Sequence, residues 1–225
     1  MKTIAIVCQK GGSAKTTTAL NLAVEAMAHG LEVAIIDLDP QVSACDWKDI
    51  RGEAPPVVAS TPVPHLERSL KALEANGADL VIIDTAGKTN DAASSAARLA
   101  DLVLIPLQPS IADLKTLTST LDLVRLAGGK KLLAILARVK AVGTRHTDAI
   151  EWLKSVGLDV CPATIGERVT YQDAWAQGLA VCEAEPNGKA AQEINEVYKY
   201  ISKLLNLPTK RIAHEEGRST RQRIA

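Results

Sequence analysis

KGGSAKTT, residues Lys10–Thr17, is the most informative stretch of this 225-residue sequence. It follows the short apolar run TIAIVC, Thr3–Cys8, and leads into a helical pattern that extends to about His29. A glycine-containing loop between a buried strand and a helix N-terminus aligns backbone N–H donors at the positive end of the helix dipole, where they hold phosphate. The sequence therefore predicts that this loop binds a nucleotide.

The loop departs in two ways from the common phosphate-binding motif, GxxxxGK followed by Ser or Thr. Gln9 stands where the first glycine is expected and Ala14 where the second is expected, and an additional lysine, Lys10, begins the loop. If the backbone at residue 14 has a positive φ, alanine costs on the order of 1 kcal/mol relative to glycine. We then expect weaker nucleotide affinity or slower turnover than in a relative with glycine.

The motif assigns roles to the polar residues of the loop. Lys15 is expected to place its ammonium against the β- and γ-phosphates, and Thr16 to supply a hydroxyl to Mg²⁺. Thr17, one step into the helix, is expected to contact the α-phosphate, while the glycines let the backbone approach closely. The predicted ATP-binding residues are Gly11, Gly12, Ser13, Ala14, Lys15, Thr16 and Thr17.

Short apolar runs alternate with longer helical patterns along the rest of the chain. Near-continuous apolar strands separated by helices indicate a parallel sheet covered on both faces. The Pro-rich stretch 52–65 predicts a connecting loop around a short edge strand. We therefore predict an α/β fold, a doubly wound, mostly parallel sheet with helices on both faces and the strand of the phosphate loop near its centre. After the first strand, the predicted strands are Val33–Asp37, Leu80–Asp84, Leu102–Pro106 and Leu132–Val139, and the predicted helices are 16–29, 64–75, 90–100, 110–127, 145–155, 168–177 and 188–205.

Two acidic motifs stand at the carboxyl ends of predicted strands. DLDPQ, Asp37–Gln41, begins with the last residue of one strand, and LVIIDTAG places Asp84 at the end of another. Open α/β sheets bind ligands at the carboxyl ends of their strands, so these carboxylates are expected to face the phosphates. Asp84 matches a Walker B aspartate, which binds Mg²⁺ through water.

KGGxxKT with a leading lysine resembles the deviant phosphate loop of the ParA/MinD ATPases, and DLDPQ and LVIIDTAG follow in the order of that family. Two softer matches, LVLIPLQPSIADL at Leu102–Leu114 and ATIGERVTYQDAWAQGLAVCE at Ala163–Glu183, extend the resemblance over residues 1–205. Within the family, the chain looks most like the short, ParF-like plasmid partition ATPases.

The resemblance implies a mechanism. Lys10 would reach across a dimer interface to the partner's nucleotide, Asp39 would orient or deprotonate the attacking water, and Asp37 would support the water shell of Mg²⁺. The implied catalytic residues are Lys10, Lys15 and Asp39, and the implied metal residues are Thr16, Asp37 and Asp84.

The resemblance also implies a function. With ATP and Mg²⁺ as cofactors, the chain would be a DNA partition ATPase with weak intrinsic activity. It would form a homodimer with ATP, bind DNA without sequence preference and be stimulated by a centromere-binding, ParB- or ParG-like partner. The expected location is the cytoplasm, on the nucleoid.

Composition adds limits to this interpretation. At 225 residues and 47% apolar composition, the chain has the size of one α/β domain, predicted over 1–207. The formal net charge is zero, but residues 210–225 carry five basic and two acidic groups, so that 208–225 is predicted to be a basic, disordered tail. The candidate DNA-contacting residues are Arg168, Arg218, Arg221 and Arg223.

Other features exclude some classes of protein. The four cysteines, Cys8, Cys45, Cys161 and Cys182, form no C-x-x-C pair, which favours free thiols over a zinc or redox site. The sequence shows neither a signal segment nor an apolar stretch of the roughly 20 residues that a membrane span requires. The phosphate loop begins within ten residues of Met1, so we expect no N-terminal helix-turn-helix domain and no autorepression.

Three alternatives stay open at this point. A MinD-like ATPase that cycles on membranes would need an amphipathic C-terminal helix, and the final residues KRIAHEEGRSTRQRIA offer no broad apolar face. A positioner of protein cargo, such as a carboxysome or a chemoreceptor cluster, would use the same chemistry as a DNA partition ATPase. A metabolic enzyme of the dethiobiotin-synthetase kind would need a small-molecule pocket, for which the sequence shows no motif.

Overall fold

Six parallel strands form one sheet in the computed structural model, which describes residues 1–87, 90–128, 131–143 and 145–209. The strands are β1 Lys2–Ile6, β2 Val33–Asp37, β3 Val57–Ser60, β4 Leu80–Asp84, β5 Leu102–Leu107 and β6 Leu132–Leu136. Their order across the sheet is β3-β2-β4-β1-β5-β6, so β1 lies near the centre and β3 at an edge. The predicted fold class is confirmed, and every strand pair in the described part of the chain is parallel.

Helices cover both faces of the sheet. Ile4 and Ile6 of β1 pack into one apolar layer with residues of the first and last helices, whereas Ala5 and Val7 pack into the other layer. Because both faces are buried, the strands are apolar at nearly every position. The helices are α1 Lys15–Ala28, α2 Ser43–Arg51, α3 Leu66–Ala75, α4 Asn90–Leu99, α5 Ile111–Leu126, α6 Arg145–Ser155, α7 Thr170–Ala176, α8 Val181–Ala184 and α9 Lys189–Leu205, with a 3₁₀ turn at Val63–His65.

The structure differs from the sequence prediction at a few places. Two helices, α2 and α8, were not predicted, and β6 ends at Leu136 rather than at Val139. The strand ends early because Arg138 adopts a left-handed conformation with φ 53°, which a strand cannot accommodate. The short edge strand predicted within residues 52–65 is β3.

Parallel pairing places the carboxyl ends of β1, β2 and β4 together. Residues of β2 and β4 lie opposite each other in register, and the last pair in this register is Asp37 and Asp84. The loop after β1 therefore lies beside both acidic motifs. No helix among the described residues is long and apolar enough to cross a membrane.

Candidate nucleotide-binding site

The phosphate loop joins the end of β1 to the first residue of α1, Lys15. Ala14 precedes the helix with φ 67° and ψ 29°, and Gly12 also has a positive φ of 73°. Ala14 therefore occupies the left-handed region in which glycine is favoured. The backbone strain that we expected if residue 14 had a positive φ is present. The carbonyl of Ala14 accepts the first helical hydrogen bond, from the N–H of Thr18 at 2.9 Å.

Lys15 lies over its own loop. Its side chain is mostly buried, and Nζ donates a hydrogen bond to the carbonyl of Lys10 at 3.1 Å. The ammonium also lies close enough to the carboxyl of Asp84 to favour its ionised form. The hydroxyl of Ser13 is buried in the same loop and has no hydrogen-bond partner within the described part of the chain. This loop thus presents a cation and a buried hydroxyl where the motif predicts phosphate.

Three contacts hold the phosphate loop in place. A Cβ on Gly87 would lie 3.0 Å from the backbone nitrogen of Gly11, so the glycine of LVIIDTAG allows close packing on the loop. Gln108 Nε2 donates to the carbonyl of Gly12 at 3.0 Å. Gln9 Nε2 donates to Asn90 Oδ1 at 2.8 Å. The loops after β4 and β5 therefore fix the backbone that follows β1.

Asp37 is fully buried and accepts hydrogen bonds from three backbone N–H groups. Oδ1 accepts from Asp39 at 2.9 Å, and Oδ2 accepts from Ala44 at 2.9 Å and from Cys45 at 3.4 Å. Burial raises the pKa of Asp37, and the three N–H groups oppose that rise. The Asp37 carboxylate thus accepts hydrogen bonds from backbone N–H groups in the first turn of α2, although Asp37 lies six residues before the first residue of that helix. Its contacts therefore shape the DLDPQ loop directly.

Asp84 lies opposite Asp37 but, within the described part of the chain, has no backbone donors of the kind that surround Asp37. It is fully buried, and neither of its carboxylate oxygens has a hydrogen-bond partner among the described residues. Burial raises the pKa of Asp84 to about 7, although the neighbouring Thr16 hydroxyl favours the ionised form. A buried carboxylate is costly unless cations or donors approach it, and within the described residues Asp84 has only the nearby Lys15 ammonium and Thr16 hydroxyl for this purpose.

These side chains fit a magnesium ion that is held mainly by phosphate and water. Mg²⁺ prefers oxygen ligands and binds through one or two carboxylates together with substrate phosphates. Asp84 supplies an open carboxylate and Thr16 a hydroxyl beside it. Within the described residues, no group of three or more His, Cys, Asp or Glu side chains could hold a metal alone.

Asp39 lies in the DLDPQ loop, half-buried, and its Oδ1 accepts the N–H of Gln41 at 2.9 Å. The carbonyl of Asp39 accepts the N–H of Val42 at 2.8 Å, and Val42 has a positive φ of 48°. The loop is therefore a tight turn that contains Asp39. The roles assigned to Asp39 and to the other site residues stay predictions.

A cavity of about 450 Å³ continues from the phosphate loop and forms the candidate site for the rest of the nucleotide. Gly12, Ala14 and Thr17 line one side, and residues after β6, including Ile165 and Tyr171, line the other. Backbone hydrogen bonds between Val139 and the segment that follows Ile165 build this wall. The sequence did not predict the residues after β6 as part of the nucleotide site, because this wall of the cavity depends on pairing between segments that are distant in the sequence.

Arg168, a predicted DNA-contacting residue, lies at the wall of this cavity and forms an ion pair with Glu193 of α9. Nε donates to Glu193 Oε2 at 3.1 Å, and the pairing raises the pKa of Arg168. Arg168 is therefore already engaged with a carboxylate. The other predicted DNA residues, Arg218, Arg221 and Arg223, lie outside the described residues.

A central parallel strand, a glycine-containing loop and a helix N-terminus, with a buried carboxylate on the neighbouring strand, define a phosphate-loop nucleotide-binding protein. The model of the CobQ/CobB/MinD/ParA nucleotide binding domain matches residues 4–181. The chain belongs to this family. The predicted ParA/MinD membership is confirmed, and the chain is an ATPase of that type.

Two relatives match over most of this chain. The maintenance of carboxysome distribution protein A of Gloeobacter kilaueensis is 32% identical over 210 residues, which cover 91% of this chain and 94% of the relative. Protein IncC of Escherichia coli is 29% identical over an alignment of 251 positions, gaps included, which covers 89% of this chain and 69% of the relative.

The fold also matches a solved structure, the complex of Cyanothece McdA with ATP. The TM-score is 0.74 at 22% sequence identity, and the match covers 94% of this chain and 98% of the other. This likeness supports the fold described above.

Proposed function

We propose that this chain is a ParA-type partition ATPase, an ATP-dependent switch that dimerises with ATP, binds DNA without sequence preference and is stimulated by a centromere-binding partner. The observation that carries the proposal is the phosphate loop itself, in which Lys10 stands five residues before Lys15 and its carbonyl accepts a hydrogen bond from the Lys15 ammonium. ATP with Mg²⁺ is the proposed cofactor. The family, which includes ParA and MinD, and the name of the carboxysome distribution protein support a function in partition or positioning.

The two lysines of the loop argue for a dimer. Like charges in one loop repel each other, so a second lysine is favoured where it meets a phosphate group. Lys15 and the backbone donors already serve the phosphates bound by the same chain. We therefore assign Lys10 to the nucleotide of a second copy, where a cation delivered in trans stabilises charge on the transferred group and makes dimerisation depend on the γ-phosphate.

Hydrolysis is assigned to the residues at the ends of β2 and β4. When bound beside Thr16 and Asp84, Mg²⁺ would neutralise charge on the phosphates. Lys15 would stabilise the transferred phosphoryl group, and Asp39 would orient or deprotonate the attacking water. Asp37 would support this arrangement by holding the loop that carries Asp39.

DNA binding requires cations that neutralise phosphates. Besides Arg168, Arg218, Arg221 and Arg223, a second cavity of about 510 Å³ carries Arg138, Lys140 and His146 along its lining. Arg138 also lines the nucleotide cavity, and its Nη2 donates to Glu167 at 2.9 Å. A cationic surface that shares a residue with the nucleotide cavity is placed to respond to the nucleotide.

A second candidate function is the positioning of a protein assembly. The match to a carboxysome distribution protein, which covers nearly all of both chains, favours it. Both candidates use the same ATP cycle and differ in the cargo. Affinity capture of the partner with the ATP-bound protein distinguishes them, since a DNA-binding adaptor supports partition and a component of a protein assembly supports positioning.

The proposal is tested by co-sedimentation with DNA in the presence of ATP, ADP or no nucleotide, and by light scattering with a slowly hydrolysed ATP analogue. We expect the parent protein to dimerise and to bind DNA with ATP only. Lys10→Ala should keep nucleotide binding and lose dimerisation and DNA binding together. Lys71→Ala, which removes an exposed lysine paired with Glu67 on α3, is the matched control and should behave as the parent. A Lys10→Ala variant that dimerised as well as the parent would contradict the proposal.

A further inference from the structure

The last turn of α2 ends in an arginine whose side chain is nearly fully buried. Arg51 is 5% exposed, and both terminal nitrogens donate to Glu183, Nη1 to Oε2 at 2.8 Å and Nη2 to Oε1 at 2.6 Å. Nη1 also donates to the carbonyl of Gly178 at 2.8 Å, and Nε donates to the carbonyl of Pro55 at 2.6 Å. Such a bidentate pair fixes distance and orientation together.

The partner of Arg51 lies in residues 178–183, here named the connecting segment. This segment fits closely against α2, because a Cβ on Gly178 would lie 2.6 Å from the backbone nitrogen of Arg51. Trp47 lies beneath the guanidinium, at 4.8 Å from ring centroid to Cζ, and donates to the carbonyl of Leu179 at 3.3 Å. Glu183 also accepts the N–H of Ala180 at 2.9 Å, so one carboxylate holds both the segment and the helix.

The same segment is bonded to α1. The N–H of Val181 donates to Asn21 Oδ1 at 2.9 Å, and Asn21 Nδ2 donates to the carbonyl of Thr17 at 2.8 Å. Because α1 begins at Lys15, the connecting segment is fixed to the helix that follows the phosphate loop. It therefore joins α1 to α2.

Helix α2 depends on these polar contacts for its position. It has nine residues and is about 13 Å long, and only Ala44 and Trp47 are buried. Two buried residues restrain a short helix less than hydrogen bonds at both of its ends, which fix distance and direction. At its N-terminus, Ala44 and Cys45 donate to Asp37, which also holds the backbone of Asp39.

We infer that Arg51 and Glu183 are positioning residues for ATP hydrolysis. They fix the far end of α2 to α1, and thereby set the DLDPQ loop and Asp39 relative to the phosphate loop. The inference rests on the proposed function, because Asp39 acts on the attacking water in that proposal. Neither side chain needs to touch the nucleotide.

The test compares Arg51→Met with the parent in the full chain. Methionine keeps an apolar stem over Trp47 and removes every donor. Since small displacements of positioned groups cost up to about 100-fold, we expect kcat for ATP hydrolysis to fall about tenfold. The affinity for ADP should change less than about twofold, because the phosphate loop is untouched. Arg51→Lys keeps the charge without the bidentate geometry and should recover part of kcat.

Amide hydrogen exchange provides a measurement that does not depend on hydrolysis. In Arg51→Met, the amides of Ala44 and Cys45 should exchange at least about threefold faster, because α2 is released at its other end, while amides of α1 should be unchanged. Lys71→Met, which removes an exposed ion pair on α3, is the matched control and should match the parent in both measurements.

Several results would overturn the inference. Unchanged exchange at Ala44 and Cys45 does so whether or not the protein hydrolyses ATP. An equal loss of kcat and ADP affinity, or faster exchange throughout α1 and α2, would show a general structural role instead. A parent protein that fails to hydrolyse ATP overturns the proposed function, and the exchange measurement then still decides whether Arg51 holds the DLDPQ loop.

Discussion

The carboxyl ends of β2 and β4 present two buried aspartates with opposite surroundings. Asp37 and Asp84 lie opposite each other in register, and each is fully buried. Asp37 accepts three backbone N–H groups, whereas neither oxygen of Asp84 has a hydrogen-bond partner among the described residues. Two aspartates at equivalent strand ends therefore differ in the hydrogen bonds that their carboxylates accept.

The difference follows from the loops that come next. After β2 the chain turns back tightly and starts α2, so the first N–H groups of that helix point at Asp37. After β4 the chain continues to Gly87, which packs closely against the phosphate loop, and no backbone N–H among the described residues donates to Asp84. Asp37 thus makes its contacts to backbone, whereas the oxygens of Asp84 are open and fit a cation; that both residues act on Mg²⁺ stays a prediction.

The largest effect that separates the two aspartates is expected from Asp84→Asn. The amide keeps the shape of the side chain and removes its charge, so the attraction for Mg²⁺ is lost. We expect hydrolysis to fall on the order of 100-fold, as when a single electrostatic contact is removed from an active site. The gain in nucleotide affinity that Mg²⁺ provides over a chelator should be clearly smaller in the variant than in the parent, because phosphate, water and the Thr16 hydroxyl remain as ligands. Asp49→Asn, on the exposed face of α2, is the control. A magnesium dependence in Asp84→Asn equal to that of the parent would remove Asp84 from the metal site.

A smaller effect, on stability, is expected from Asp37→Ala. The substitution leaves three backbone donors without their acceptor, and the relief of burying a charge offsets part of the loss. We expect a destabilisation of about 2 kcal/mol in urea unfolding without magnesium. Asp84→Asn, measured in the same way, should be destabilised less than Asp37→Ala, since it leaves no backbone donor without an acceptor and removes a buried charge. Equal destabilisation of the two variants would refute the distinction drawn here.

Much of the fold could be predicted because the strands are buried on both faces and therefore form continuous apolar runs. Helix α2 itself could not be predicted in the same way. Its sequence, SACDWKDIR, buries only Ala44 and Trp47, which is too short a pattern to indicate a helix. Asp37, which lies outside the helix, accepts hydrogen bonds from the N–H groups of its first turn. No local capping residue therefore marks the start of α2.

The candidate site could be predicted in part. The spacing of motifs along the chain placed the phosphate loop, Asp37 and Asp84 at one edge of the sheet, and the structure confirms that placement. The difference between the two aspartates depends on where later backbone N–H groups point, which no motif specifies. The ion pair of Arg51 and Glu183 joins residues 132 positions apart, and it follows only from the folded chain.

The smallest effect is expected from Ala14→Gly, which alters the loop beside Asp84 and removes neither carboxylate. Glycine relieves the left-handed strain at φ 67°, worth about 1 kcal/mol, but it also gains freedom in the unfolded chain worth about 0.4–1 kcal/mol. Because these contributions oppose each other, we expect the free energy of unfolding to change by less than about 1 kcal/mol. A loop without strain can align its N–H donors on phosphate more closely, so affinity for the magnesium nucleotide should rise, by at most about fivefold. Calorimetric titration of parent and variant measures this change. Weaker binding in Ala14→Gly would instead show that the restricted backbone of alanine holds the loop in the conformation that binds phosphate. The strain at Ala14 would then increase the affinity for the nucleotide beside Asp84.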